Sequence, residues 1–254
     1  MSASDSSALA DARATRVALD RLLETDAAPW LARLLPSGFA DAAQEYVALL
    51  LAANARLNLT RIVEPDAVAR LHILDSLVAL PLVDEIAPTS ALDLGSGGGL
   101  PGVLLAVARP EVHWTLVDSV GKKADAMRGF VDALNLPNVE VLADRAELLG
   151  RGHGRESYDL VAARACAALP VLAEYALPLL RVGGTLLAWK GAPAAEELTA
   201  GAAASALLGG GAPTVRPTNA PALGDHSFVV VRKLRPTPAR YPRRPGEPAR
   251  LPLG

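Results

Sequence analysis

The segment Ala91-Leu-Asp-Leu-Gly-Ser-Gly-Gly-Gly-Leu-Pro-Gly102 concentrates the residue types best suited to cradle a small ligand. Glycines let the backbone approach a ligand closely, and a helix expected to open at about Leu100 or Pro101 offers unpaired N–H groups. Two registers compete. Gly97, Gly99 and Gly102 have the G-x-G-x-x-G spacing of a dinucleotide fingerprint, which is weak by itself. Registered from the strand, the loop reads Asp93, Gly95, Gly97, Gly99, with an acid at the strand end. A carboxylate beside a pyrophosphate is repelled by on the order of 1 kcal/mol or more, whereas beside a sulfonium or an ammonium it is favourable. Asp93 therefore speaks against a nicotinamide dehydrogenase. A tight strand-to-helix turn holding no ligand is the remaining reading.

A second acid narrows the choice. Trp114-Thr-Leu-Val-Asp118 ends 23 residues beyond Gly95, close to the separation of about 20 at which an acid reaches ribose hydroxyls in nucleotide-binding βαβ units. Asp93 and Asp118 together select a ligand with an adenosine ribose and a positive group, and S-adenosylmethionine has both. A third strand ends in Leu142-Ala-Asp-Arg-Ala-Glu147, where such folds bracket the adenine. No nucleophile–base pair stands out. His72 and Asp75, three apart on a helix, read as local hydrogen-bond partners, and Cys166 as a small buried side chain. Four His and one Cys show no metal-ligand spacing.

These residues need a scaffold. Short apolar runs at 91–94, 114–117, 139–142, 159–162 and 185–189 alternate with helical segments, and Ser227–Leu234 adds a last strand. The alternation predicts an α/β fold with a doubly wound, mostly parallel sheet. Residues 1–88 read as a helical extension, with helices over Ser7–Glu24, Phe39–Leu51 and Asp66–Leu80 and a linker punctuated by Pro29 and Pro36. Residues 89–235 form the α/β domain. From Pro236 to Gly254 the proline density predicts an extended tail.

Seven short runs then occur together in order: Asn58-Leu-Thr, His72-Ile-Leu-Asp-Ser-Leu, Asp93-Leu-Gly-Ser-Gly-Gly-Gly-Leu-Pro-Gly, Asp118-Ser-Val-Gly-Lys-Lys, Asp144-Arg-Ala-Glu, Ala163-Arg-Ala and Trp189-Lys-Gly. In these the chain resembles the bacterial 16S ribosomal RNA guanine-N7 methyltransferase family, also called glucose-inhibited division protein B, over about residues 40–235. The resemblance implies the S-adenosylmethionine-dependent methyltransferase type of sheet, with S-adenosyl-L-methionine as cofactor and 16S ribosomal RNA or the small ribosomal subunit as partner. It places Gly95 and Leu100 in the cofactor loop, Ala146 and Glu147 on the adenine side and Arg164 at the mouth of the fourth strand, with Asp118 on the ribose. Lys122, Arg145 and Lys190 match basic positions that meet RNA or phosphate. Asn58 is a candidate for the substrate base, though an Asn near a helix end is as often a cap. The other readings are a methyltransferase of the same fold acting on a small molecule, and a non-catalytic RNA-binding protein that senses an adenosine ligand.

Composition sets the wider bounds. With 51% hydrophobic and 20% charged residues, disorder is excluded, and a single cysteine excludes an intramolecular disulfide framework. The N-terminus lacks a basic, then apolar, leader, and no apolar run reaches membrane-span length, so a cytoplasmic monomer with no membrane and no metal partner is expected. The near-neutral charge of −2 hides an asymmetry. Residues 231–254 carry seven basic residues against one acid, a net of +6 that leaves −8 on the remainder. Such an end reads as a flexible cationic strap for phosphates, or as a solubilising extension.

Overall fold

The computed structural model describes residues 3–24 and 29–254. The first two residues of the N-terminus and residues 25–28 of the proline-punctuated linker lie outside the described residues. The chain opens with helices α1 (Ala3–Glu24), α2 (Pro29–Ala32) and α3 (Phe39–Leu57). On α3 the residues Phe39, Ala43, Tyr46, Val47 and Leu50 recur at helical spacing and are all buried. The helix expected over Asp66–Leu80 is not uniform. It comprises α4 (Pro65–Val68), a π-helical stretch over Ala69–Leu74, α5 (Asp75–Leu77) and, after a turn, α6 (Leu80–Ile86). A widened turn of this kind re-aims the side chains it carries, and such turns recur at functional sites. Here it carries His72 and leads directly into Asp75.

The sheet follows. Strands β1 (Ser90–Leu94), β2 (His113–Asp118), β3 (Val139–Ala143), β4 (Tyr158–Arg164), β5 (Leu180–Lys190), β6 (Thr214–Pro217) and β7 (Ser227–Arg232) lie in the order β3-β2-β1-β4-β5-β7-β6. The first five pair in parallel, and β7 and β6 complete the edge antiparallel. Between them run α7 (Gly102–Ala108), α8 (Gly121–Ala133), α9 (Ala146–Leu149), α10 (Leu169–Ala176) and α11 (Ala195–Leu207). Six strands fall where the apolar runs predicted them. The seventh, β6, escapes that reading because it is short, ends in Pro217 and is exposed along its length.

Alternate strand residues feed two apolar layers. Ala91, Trp114, Leu116, Leu160 and Leu187 join the N-terminal helices, α7 and α8 in one layer. Leu92, Val117, Val161, Leu186 and Val229 join α10 and α11 in the other. Covering both faces explains why the strands read as continuous apolar runs. Helices α1 to α6 thus share one apolar core with the sheet.

The tail differs from expectation. Residues 236–254 dock on the second layer, where Tyr241 is buried, and Glu247–Arg250 form a short helix α12. A flexible strap is therefore replaced by a seated segment. Of the seven cations in residues 231–254, Lys233 is wholly buried and Arg243 is ion-paired with Glu174, which leaves Arg232, Arg235, Arg240, Arg244 and Arg250 facing solvent. Among the described residues no helix is long and apolar enough to cross a membrane.

Candidate functional site

The chain runs outward from β1 through β2 to β3 and returns to β4 on the other side, so strand order reverses between β1 and β4. Open α/β sheets bind ligands in the crevice beyond the strand ends at such a switch point. Two cavities meet there. The first is lined by Gly95, Asp118, Asp144, Arg145, Glu147 and Tyr175, among others. The second, about 490 Å³, includes Leu71, Asp75, Arg164, Trp189, Lys190 and His226. Cys166 lines both.

The glycine loop is held in place from behind. Gly95 N–H donates to the Val117 carbonyl at 2.8 Å, and Gly97 N–H donates to Asp118 Oδ2 at 3.0 Å. Asp118 Oδ1 accepts the Val120 N–H at 2.8 Å, so one carboxylate joins the loop to the β2 end while bordering the first cavity. Gly95 has φ +73°, and a Cβ there would stand 3.2 Å from Cys166 Sγ. Side chains are thereby kept out of the seam between the cavities. Tyr46, which no motif singled out, props the loop by donating its hydroxyl to the Gly98 carbonyl at 2.7 Å. Its ring meets Phe130 edge-on at 6.0 Å.

Asp93 does not face either cavity, contrary to the expectation that it would stand near a cationic group. It is wholly buried, and its Oδ2 accepts the Gly102 N–H at 2.9 Å, capping the start of α7. Among the described residues its Oδ1 has no hydrogen-bond partner. Burial pushes this carboxyl up to about 6, with the Gly102 N–H and the Arg164 charge acting against the rise. An unfolded aspartate titrates near 3.9, so the folded state holds the proton more tightly and stability falls as pH rises from about 4 to 6. The difference of about two units corresponds to roughly 3 kcal/mol. Asparagine at 93 cannot titrate. We therefore expect the stability of the wild type relative to D93N, from urea midpoints at about pH 4.5 and about pH 7.5, to fall by up to that amount. A difference independent of pH would show that Asp93 ionises normally.

Gly99 and Leu100 also lie behind the loop. A Cβ on Gly99 would stand 2.7 Å from Val103 Cγ2, and Leu100 is buried in the apolar layer beneath the N-terminal helices. Leu100 therefore supports the loop from below and is not a wall of either cavity. On the adenine side, Ala146, Glu147 and Arg145 do line the first cavity. Glu147 is almost wholly buried, and its Oε1 accepts the Gly246 N–H of the tail at 2.7 Å. Arg145 Nη2 stands 3.4 Å from the same oxygen.

Arg164 belongs to the second cavity rather than the first. It donates to Asp75 Oδ2 at 3.0 Å and to the Leu71 carbonyl at 3.1 Å. Asp75 Oδ1 lies 2.9 Å from His226 Nδ1, and Trp189 Nε1–H donates to the Asp75 carbonyl at 2.7 Å. One buried acid thus orients an arginine and a histidine at the cavity wall. His72 also lines this cavity, 2.8 Å from Thr60 Oγ1, and burial together with Arg164 lowers its imidazole to about 4, so it is neutral near pH 7. Lys190 lines the cavity too, paired to Glu197 at 2.7 Å. Cys166 is exposed rather than buried, and protein mass around its thiol, with the acids Asp93 and Asp118, pushes it up to about 11. A neutral thiol there is a poor nucleophile.

Gly97 lines neither cavity, and the predicted substrate positions Asn58 and Lys122 also fall outside both. Asn58 takes a left-handed conformation, φ 51°, as the C-cap of α3, which is the capping alternative read from its place in the sequence. Lys122 is exposed at the start of α8. His226 was not legible as a site residue, because 151 positions separate it from Asp75 and no local motif surrounds it.

Comparison with known proteins agrees with this geometry. The family model described as "GidB: rRNA small subunit methyltransferase G" matches residues 40–221. The ribosomal RNA small subunit methyltransferase G of Roseiflexus sp. (strain RS-1) is 45% identical and covers 92% of this chain and 100% of its own. That of Deinococcus radiodurans is 47% identical, covering 82% of this chain and 83% of its own. Among solved structures, cofactor-bound Rv0187 from MTB shares the fold with a TM-score of 0.52 at 19% identity, over 74% of this chain and 89% of that one. The CurJ carbon methyltransferase does so with a TM-score of 0.52 at 14% identity, over 91% of this chain and 70% of that one. With its glycine loop, strand order and paired cavities already in place, the chain belongs to the rRNA small subunit methyltransferase G (GidB) family.

Proposed function

We propose that the chain methylates N7 of a guanine in 16S ribosomal RNA, with S-adenosyl-L-methionine as methyl donor. The observation that carries this reading is the meeting of two chemically different cavities at Cys166. One offers a glycine loop and a carboxylate at the β2 end. The other offers cations and an aromatic ring, and its size falls in the range of small-molecule sites.

The first cavity fits the donor. Asp118 borders it at the β2 end, where an acid can accept ribose hydroxyls, Gly95 gives close backbone approach, and Ala146 and Glu147 border the side read for the adenine. When bound, S-adenosylmethionine supplies a methyl group activated by a positively charged sulfur. In the second cavity Arg164 and Lys190 present N–H donors of the kind that pair with guanine O6 or a phosphate. Trp189 is held by Asp75 and meets Phe228 edge-on at 5.0 Å. Lys122 and Arg145 supply further cations for the RNA backbone.

Guanine N7 carries a lone pair and no proton, so methyl transfer to it needs no general base. The neutral thiol and the ion-paired Asp75 agree with this. Catalysis then rests on alignment and exclusion of water, which contribute on the order of 7–11 kcal/mol at best.

The test is direct. Protein incubated with methyl-labelled S-adenosylmethionine and either naked 16S RNA or small subunits from a strain lacking the gene should yield labelled 7-methylguanosine. Label on a small molecule alone would support the same-fold alternative. Cofactor and RNA binding without transfer would support a sensor.

A further inference from the structure

We propose that the C-terminal segment is a positioning element of the cofactor site, acting through Arg243 and Gly246 on the adenine-side wall. This rests on the reading that the first cavity takes S-adenosylmethionine. The wall is built from α9 with the preceding Arg145, and from Tyr175 on α10. The tail grips both helices. Arg243 donates through its backbone N–H to Glu174 Oε1 at 2.8 Å and through Nε to the same oxygen at 2.9 Å. Glu174, the residue before Tyr175, has no exposed surface. Three residues further along, the Gly246 N–H reaches Glu147 on α9.

The grip extends past α9. Arg151 Nε donates to the Pro242 carbonyl at 2.7 Å, and Arg155 Nη1 donates to the Tyr241 carbonyl at 2.8 Å. A Cβ on Gly150 would stand 3.3 Å from Pro242, so the tail lies directly against the end of α9. Glu147 is the decisive residue, because it borders the cavity while one of its oxygens holds the tail. A carboxylate that accepts backbone N–H groups is fixed in direction, and its free edge is presented at a set angle. Glu174 does the same for Tyr175 from the other helix. A buried carboxylate keeps its place only while its cation stays, since removing one partner leaves an uncompensated charge.

Gly246 has φ +81°, which proline cannot adopt, and proline also lacks the N–H that reaches Glu147. G246P therefore releases the wall with no change to any residue that borders the cavity. R243K is the milder companion. It keeps a cation over Glu174 and removes the planar fork.

Affinity for S-adenosylhomocysteine is measured by calorimetry without RNA, alongside steady-state methylation and thermal unfolding. G246P is expected to weaken cofactor binding about tenfold, equivalent to ~1.4 kcal/mol, and R243K less. KM for S-adenosylmethionine should rise in step, while kcat at saturating cofactor stays within about twofold, the split that separates ground-state binding from chemistry. R243K carries the test if G246P does not fold. Folded variants with wild-type cofactor affinity would overturn the proposal. A wild-type protein that binds no S-adenosyl ligand would instead overturn the functional reading on which it rests.

Discussion

Alanine in place of Asp118 is expected to raise the dissociation constant for S-adenosylmethionine on the order of a hundredfold, or about 3 kcal/mol. The carboxylate serves two ends. It accepts the Gly97 and Val120 N–H groups, which fixes the glycine loop against the β2 end, and its free lone pairs border the first cavity. Truncation removes the acceptor proposed for the ribose and leaves two loop N–H groups without their partner. Hydrogen bonds to a charged group contribute about 1.5–3 kcal/mol each, so losing those to the ribose accounts for the effect without invoking loop disorder. D118N keeps one acceptor oxygen and should recover part of the affinity. Titration calorimetry with S-adenosylhomocysteine reads both values. An unchanged constant in D118A would remove Asp118 from the site.

Alanine at Gly102 should cost the fold itself about 3 kcal/mol, the upper range for overpacking. A Cβ there would stand 2.3 Å from Leu116 Cδ2 and 2.7 Å from Asp93 Oδ2. Leu116 and Asp93 are both wholly buried, and Asp93 Cβ itself would stand 2.9 Å away, so neither side chain can swing clear without displacing packed neighbours. The same shift weakens the Gly102 N–H bond to Asp93 Oδ2. For a chain of this size the loss lowers the melting temperature by roughly 6–12 °C. Gly121, the first residue of α8, is the control. A Cβ there meets nothing within 4 Å, and alanine favours helix, so G121A should be neutral or slightly stabilising. Thermal unfolding followed by circular dichroism separates the two. Equal melting temperatures would show that the β1–α7 junction has room to spare.

These two residues mark what sequence patterns can reach. Asp118 was legible because its separation from the glycine loop is set by the length of one βαβ unit, and the structure puts it at the cavity. Asp93 was legible as an acid at a strand end, but not in its direction. Whether such a carboxylate faces a ligand or caps the following helix depends on a rotation that spacing does not encode. Arg164 shows the same limit, since a strand-end residue can serve the cavity on either side of the switch point. The Asp75–His226 contact was beyond reach because it joins a π-helical turn to the start of an antiparallel strand, with 151 positions between them. Strands buried on both faces declared themselves by continuous apolar runs, whereas β6, exposed along its length, had no such signal. Proline content read the tail as extended and missed its seating, because what seats it is ion pairing and carbonyl contacts from residues far away in the chain.

The seated tail also orders events in time. Glu174 is emitted from the ribosome well before Arg243, so during synthesis its carboxylate exists without the cation that neutralises it in the finished molecule. The pairing on α10 is completed only once residue 243 has emerged. A chain cut short before Arg243, or nicked near position 242, would therefore keep all seven strands but leave Glu174 without the cation that pairs with it.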